Sequence, residues 1–394
     1  MQVNVTLEYR FCQTKDGHVY AQIGFGYDFW KRYLSVFDHV NVMARVEEVD
    51  SVPDTWSRSD GPGVTFTKLP YYIGPTQYVK QLPKMLYKLY RSTSKDSAFI
   101  FRVPSQIATS VTWVLGDRPF GLEVVGSPKD SLAKESMKHP LRPFFQWYFI
   151  NRMQRQCQKA CAVSYVTREQ LQTMYPVPDG TFSTHYSSIV LRPEMFAPGP
   201  KVFKEPLKKA TLINVGSMQQ YYKGQDTIIR AVAHSRDQGV HLEAILVGEG
   251  VLKAEFEELA RSLNVADRIH FKGRLTFGKE VFDQMDAADF FIMSSTTEGL
   301  PRVVVESYAR GLPCIGTRVG GVPELVREDE LIPHSKPEIL AAKIQELMKD
   351  PERCTRLAAE NYDIAKDYMD HILNERRRQF YQVVRDNTRQ WVNS

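Results

Sequence analysis

The chain has 394 residues, more than one hydrophobic core usually fills, so about two domains are expected. A hydrophobic share of 43% and a charged share of 25% fit a folded soluble protein and exclude a disordered or fibrous chain. No apolar run approaches the roughly 18 residues of a membrane span, and the net charge of +5 is uneven, with residues 1–195 at +6 and the remainder at −1, which puts any phosphate-bearing or anionic partner near the first half.

The opening "MQVNVTLEYRF" alternates apolar and polar side chains, the period of a strand and not of a secretion signal. "YDFWKRYLSVF" has helical spacing, and "HVNVMARV" and "SAFIFRV" read as further strands. Between them, residues 76–95 place Lys80, Lys84, Lys88 and Arg91 at helical spacing, with Tyr78, Leu82, Met85, Leu86, Leu89 and Tyr90 on the other sides. Such a helix is either a solvated lysine face over an ordinary core or a surface for an anionic bilayer. "SQIATSVTWVLG" and "PFFQWYFINRMQRQCQKA" are helices, and "ACAVSYV" is a strand. Five scattered cysteines, none in a second pair at zinc spacing, point to reduced thiols and a cytoplasmic protein. No nucleic-acid-reading module is present, so nucleic acid is not an expected partner.

The stretch "LRPEMFAPGPKVFKEPLKK" reads as a linker. From residue 211 strand and helix alternate: "ATLINVGS", "GQDTIIRAVAHSRDQG", "HLEAILVGEG", "LKAEFEELARSLN", "IHFKG", "GKEVFDQMDAA", "DFFIMSS". This is the grammar of parallel strands joined by right-handed crossovers, a doubly wound α/β sheet. In such sheets ligands sit outside the carboxyl ends of the strands. The next segment, "STTEGLPRVVVESYARGLPCIGT", begins a helix at Pro301 and ends it before Gly311. The first turn of that helix is an anion site. Glu298 lies on the loop before it. Glu306 lies inside it, four residues before Arg310, where an ordinary helix-surface pair is the competing reading.

The series "NVGSMQQYYKGQDTIIRA", "LVGEG", "IHFKGRL" and "AADFFIMSSTTEGLPRVVVESYARGLPCIGTRVGGVPELV" resembles, in order and spacing, the second domain of glycosyltransferase family 4, the retaining GT-B enzymes. The match is specific over residues 205–330 and mostly architectural before residue 155. Glu298 to Glu306 fits the family's E-x7-E motif.

The resemblance implies two Rossmann-like domains facing each other across a cleft, with a sugar nucleotide as donor. Glu306 would accept both ribose hydroxyls, and Glu298 would face the transferred sugar. Gly299 and Leu300 would hold sugar and phosphate through backbone N–H groups, and Lys223 would hold the diphosphate and favour its departure. Gly216 and Ser217 would line the phosphate turn, and Gly273 and Arg274 the base. Gly24 and Gly26 resemble the first-domain glycine loop.

Two positions depart from the family. Ser217 stands where an arginine often helps to neutralise diphosphate, and Arg102 is the candidate substitute. Ser127, in "GLEVVGSPKD", falls near the place of a first-domain histidine, and His139 or His18 would be the alternative acceptor-side base. No Asp-x-Asp pair is present to hold a metal, and no cofactor is expected beyond the donor.

The expected domains are 1–195 on the acceptor side, a linker at 196–210, a nucleotide-sugar domain at 211–370, and a helical 371–394 returning to the first domain. The expected activity is retaining transfer of a hexose from a UDP- or GDP-sugar to a hydroxyl acceptor, in polysaccharide or glycolipid synthesis. That acceptor is a sugar or is lipid-linked, and the enzyme would be cytoplasmic or at the inner membrane face. A GT-B nucleotide-sugar epimerase and a non-catalytic sugar-nucleotide-binding partner are the alternatives. A dehydrogenase is disfavoured, because no G-x-G-x-x-G opens either domain.

Overall fold

The structure is a computed structural model that describes residues 1–132, 141–276 and 278–394. The chain divides into two compact units, one of Met1–Tyr186 with Leu373–Ser394, the other of Ser187–Ile372.

The first unit contains β1 (Gln2–Gln13), β2 (Val19–Ala21), β3 (His39–Glu48), β4 (Ser57–Arg58), β5 (Val64–Leu69), β6 (Ala98–Val103), β7 (Gly121–Val124), β8 (Ala162–Tyr165) and β9 (Phe182–His185). Seven of these run parallel in the order β5-β3-β1-β6-β7-β8-β9. β1 pairs first with β6, Val5 opposite Ile100. Beyond a register shift between Thr6 and Arg10, its far end pairs with antiparallel β2. The central strands are covered on both faces, so they read as continuous apolar runs. "AFIFRV" in β6 is buried at Phe99, Phe101 and Val103, which pack with Ile107 and Val111 of the Gln106–Leu115 helix.

Residues 373–394 belong to this unit as part of the Asp370–Asn393 helix. Tyr381 stacks on Tyr33 with ring centroids 4.6 Å apart. Gly121 on β7 has no room for a side chain, since a Cβ there would stand 2.5 Å from Val384.

The second unit contains β10 (Lys209–Val215), β11 (His241–Val247), β12 (Ile269–Gly273), β13 (Phe290–Met293), β14 (Cys314–Thr317) and β15 (Leu331–Ile332), all parallel, in the order β12-β11-β10-β13-β14-β15. Leu212, Leu246, Phe290 and Ile292 fill its core against Ile228, Val232, Leu340 and Ile344 of the covering helices.

The proline- and lysine-rich 196–210 stretch, expected as a linker, packs on this unit instead. Lys201 N–H donates to Gly311 O and Leu207 N–H to Met348 O. Phe203 is buried and stacks on Phe290 at 6.0 Å. Three prolines and four lysines hid one anchoring phenylalanine.

Among the described residues no helix is long and apolar enough to cross a membrane.

Candidate active site in the second unit

Strand order reverses between β10 and β13, which are paired neighbours. The crevice outside their carboxyl ends is the place where a doubly wound sheet binds its ligand. Lys223 follows β10 and Glu298 follows β13. The structure brings them together: Lys223 Nζ donates to Glu298 Oε1 at 2.5 Å. Both side chains are largely buried, at 17% and 10% exposure.

Backbone contacts that only glycine permits fix this meeting. Lys223 ends a short 3-10 turn, Tyr221–Lys223, and Gly224 closes it at φ +71°. A Cβ on Gly224 would lie 2.2 Å from Ser294 O. Ser294 Oγ reaches Lys223 O and Gly224 O, each at 3.0 Å, and Thr296 N–H donates to Tyr222 O at 2.8 Å. The Glu298 loop is pinned from the other side, because a Cβ on Gly320 would stand 1.8 Å from Glu298 O. Gly321 N–H donates to Gly299 O at 2.8 Å. Gly299 and Leu300, both half-buried, connect this loop to the Arg302–Ala309 helix. Pro301 caps that helix instead of opening it, and Gly311 follows it at φ +71°.

Glu306, the fifth residue of the same helix, lies just over one turn inside it. The pairing with Arg310 does not form, since Arg310 binds Asp286 through two nitrogens at 2.8 and 2.5 Å. Among the described residues no hydrogen bond or ion pair holds the Glu306 carboxylate. Burial pushes its pKa up to about 7, with Arg302 pulling it part of the way back. A half-buried carboxylate without a protein donor is suited to donors from a ligand.

The neighbouring loops are laced to this centre. Gly216 N–H donates to Val247 O at 2.9 Å, and Gly248 N–H to Gly273 O at 2.9 Å. The Lys223 stem packs on Gly216, and exposed Ser217 accepts from Gln219 N–H at 3.3 Å. Gly273 has φ +69°, and Arg274 beside it is exposed.

Two serines that sequence reasoning passed over support the site. Ser295 Oγ donates to Glu298 Oε1 at 2.7 Å, and Ser294 ties the two loops. The signal was the polar doublet that follows the apolar strand "FFIM".

In the first unit several expected site residues have other work. Arg102 was expected to substitute for the missing diphosphate arginine. Its guanidinium instead pairs with Glu123 inside the unit and lies over the Phe29 ring at 4.9 Å. Tyr33, Tyr186 and Tyr381 also donate to the Glu123 carboxylate, at 2.8, 2.9 and 3.2 Å. Burial raises the Glu123 pKa, but Arg102 and the tyrosines outweigh it and hold the group below its ordinary value.

Ser127 is buried, hydrogen-bonds Tyr175 Oη at 2.7 Å and accepts from Lys129 N–H at 3.1 Å, the contacts of a structural cap. His18 pairs with Asp60 at 3.2 Å. His139 lies outside the described residues. Gly24 has φ +79°, and Gly26 caps the Tyr27–Leu34 helix, where a Cβ would meet Ser57 Cβ at 3.0 Å.

A doubly wound parallel sheet with Lys223, Glu298 and a helix start at its switch point has the fold of a GT-B glycosyltransferase domain. Residues 199–363 match the model of the family described as glycosyl transferases group 1. Protein CapJ of Staphylococcus aureus is 27% identical over 79% of this chain and 78% of its own length. The lipopolysaccharide core biosynthesis glycosyltransferase LpsE of Rhizobium meliloti is 33% identical over 36% of this chain and 40% of its own. Anabaena Alr3699/HepE, solved in complex with UDP-glucose, superposes with a TM-score of 0.62 at 15% identity, covering 96% of this chain and 98% of that one. At that identity the likeness is one of fold.

Proposed function

We propose that the chain is a retaining hexosyltransferase that takes its sugar from a UDP- or GDP-linked donor, as members of glycosyltransferase family 4 do. The reading is carried by the meeting of Lys223 and Glu298 at the β10/β13 switch point, with Glu306 unpaired on the helix that follows Glu298. In it, Glu306 accepts the two ribose hydroxyls. Lys223 exchanges part of its contact with Glu298 for the donor diphosphate. Glu298, steadied by Ser295, accepts from hydroxyls of the sugar. Gly299 and Leu300 contribute backbone N–H groups, and Gly273 and Arg274 border the base.

In the reaction the bond from the anomeric carbon to the diphosphate oxygen breaks, and a bond to the acceptor oxygen forms on the same face. The acceptor proton passes to the departing diphosphate, so no protein base is required. Lys223 meets negative charge that grows as the bond breaks, and thereby favours the transition state over the bound donor. The likenesses to LpsE and to HepE with UDP-glucose support a polysaccharide or glycolipid acceptor and a uridine donor.

The engagement of Arg102 by Glu123 favours one second reading, a sugar-nucleotide-binding partner that does not turn over. A thermal-shift screen of UDP- and GDP-sugars, followed by mass spectrometry and anomeric NMR of the products, separates the readings. Acceptor-dependent product with the donor's anomeric configuration supports transfer. Binding without product supports the partner. Acceptor-independent change of the donor sugar supports an epimerase, and failure of both UDP and GDP to bind removes all three.

A further inference from the structure

We propose that the first unit seats the hydrocarbon chain of an anionic membrane lipid in an aromatic cavity whose mouth adjoins the exposed lysine stripe of the Gly74–Ser92 helix. The inference needs no donor in the second unit and stands apart from the function proposed above.

The cavity has a volume of about 450 Å³, within the range of ligand-sized sites. Its walls come from the Gly74–Ser92, Gln106–Leu115 and Arg142–Lys159 helices, with Tyr78, Trp113, Phe145 and Tyr148 prominent. Glu8 and Arg45 are its charged lining residues. Their charges are already met by the protein. Glu8 accepts from Arg45 at 2.8 Å, from Tyr72 Oη at 2.9 Å and from Gln106 N–H at 3.0 Å. Arg45 also donates to Tyr72 O at 2.9 Å and lies over the Tyr72 ring at 4.4 Å. A sugar entering here would lose water from its hydroxyls and meet mainly ring faces, with Gln106 Oε1 and Arg45 Nε the lining atoms left without a partner among the described residues, which is unfavourable for most of those hydroxyls. A hydrocarbon chain makes no such demand.

The mouth identifies the source of the chain. Val79 and Phe144 line the cavity and are also 64% and 55% exposed. Trp147, whose ring lies 6.2 Å from that of Phe144, is exposed too, as are Tyr87 and Tyr90 further along the helix that carries Val79. Isolated exposed apolar residues are ordinary, but a set around an apolar cavity marks an interaction site. On the same helix Lys80, Lys84, Lys88 and Arg91 are exposed, and none has an ion pair or side-chain hydrogen bond among the described residues. They form a stripe of roughly 16 Å at the rise of an α-helix, next to the Val79, Tyr87 and Tyr90 positions. Unpaired cations beside an apolar opening fit anionic headgroups above an inserted chain.

The test is co-sedimentation with vesicles of phosphatidylcholine alone or mixed with phosphatidylglycerol, repeated with brominated acyl chains that quench tryptophan. Binding to the anionic vesicles should exceed binding to the neutral ones by about tenfold or more at low salt. Quenching should fall in Trp113→Phe, and Lys84→Gln with Lys88→Gln should remove most of the anionic preference. Phe144→Ser with Trp113→Ser leaves the charge unchanged and should weaken binding about tenfold, while the milder Phe144→Leu retains it. Circular dichroism melts confirm that each variant is folded.

No binding by the wild type at low salt overturns the proposal. So does undiminished binding in the folded serine variant, which would mean attraction by surface charge alone. So does quenching that Trp113→Phe leaves unaltered, or protection of Trp113 by a water-soluble oligosaccharide without vesicle binding.

Discussion

Lys223 and Glu298, 75 positions apart in sequence, share a hydrogen bond of 2.5 Å beyond the carboxyl ends of two adjacent parallel strands. Each is the other's counter-ion until a ligand arrives. The pair therefore keeps a cation at the β10/β13 crevice without leaving it unpaired in a largely buried place. Lys223→Ala should lower kcat/KM for sugar transfer by about 10²–10³-fold, the usual effect of removing one transition-state charge contact. Lys223→Arg should retain part of the activity. Steady-state kinetics with the donor found by the thermal-shift screen measures both.

The pH dependence of nucleotide binding should follow Glu306. Its carboxyl is pushed up to about 7, so it is an acceptor above that pH and a neutral acid below it. UDP or GDP affinity should fall as pH is lowered through about 7. Glu306→Gln should bind more weakly and show a flatter profile, as read by calorimetry at several pH values. The stability of the unliganded protein should respond with the opposite sign. The folded state holds this proton to higher pH than the unfolded chain, so stability is lost as pH rises from about 4.5 towards 7. Glu306→Gln should remove that loss in melts of the free protein.

Gly320→Ala should damage the site without touching any ligand-facing side chain. Its Cβ would fall 1.8 Å from the Glu298 carbonyl, at a φ of +50°. The Glu298 loop would have to move, and the Lys223 contact with it. We expect loss of transfer activity, together with a destabilisation of about 1–3 kcal/mol from the strained backbone and the displaced loop. Gly126→Ala is the control, because a Cβ there meets nothing within 4 Å and φ is unrestricted.

Glu123 should matter for the integrity of the first unit. Glu123→Ala leaves Arg102 buried without its partner, a change that costs about 3–5 kcal/mol in comparable pairs. Tyr381→Phe removes only one of the three tyrosine hydroxyls and should cost about 1 kcal/mol. Chemical denaturation followed by near-ultraviolet circular dichroism distinguishes the two. Because Glu123 is held below its ordinary pKa, the stability it contributes is present above the unfolded value and is lost as pH falls below it.

The second unit was legible because its elements follow one another at short range. "IHFKG" coincides with β12, and the strand ends that carry Lys223 and Glu298 stand beside glycines that mark their turns. Arg102 and Ser127 were misread for the opposite reason. The tyrosines that fix Glu123, and through it Arg102, come from positions 33, 186 and 381, and no local pattern joins them. Arg310 likewise has a helical neighbour at Glu306, yet bonds to Asp286, 24 positions back. The short antiparallel strands β2 and β4 were missed because two or three residues carry no period.

The helix that begins at Asp370 supplies Phe380, Tyr381 and Val384 to a unit whose other strands and helices end at Tyr186. On the ribosome, then, the earlier-made half must wait. Ser187–Ile372 can emerge and close around its own sheet while the half translated before it still lacks a wall. A nascent chain stalled short of residue 381 would present an ordered second unit joined to an open, apolar-faced first one, so the order of completion is the reverse of the order of synthesis.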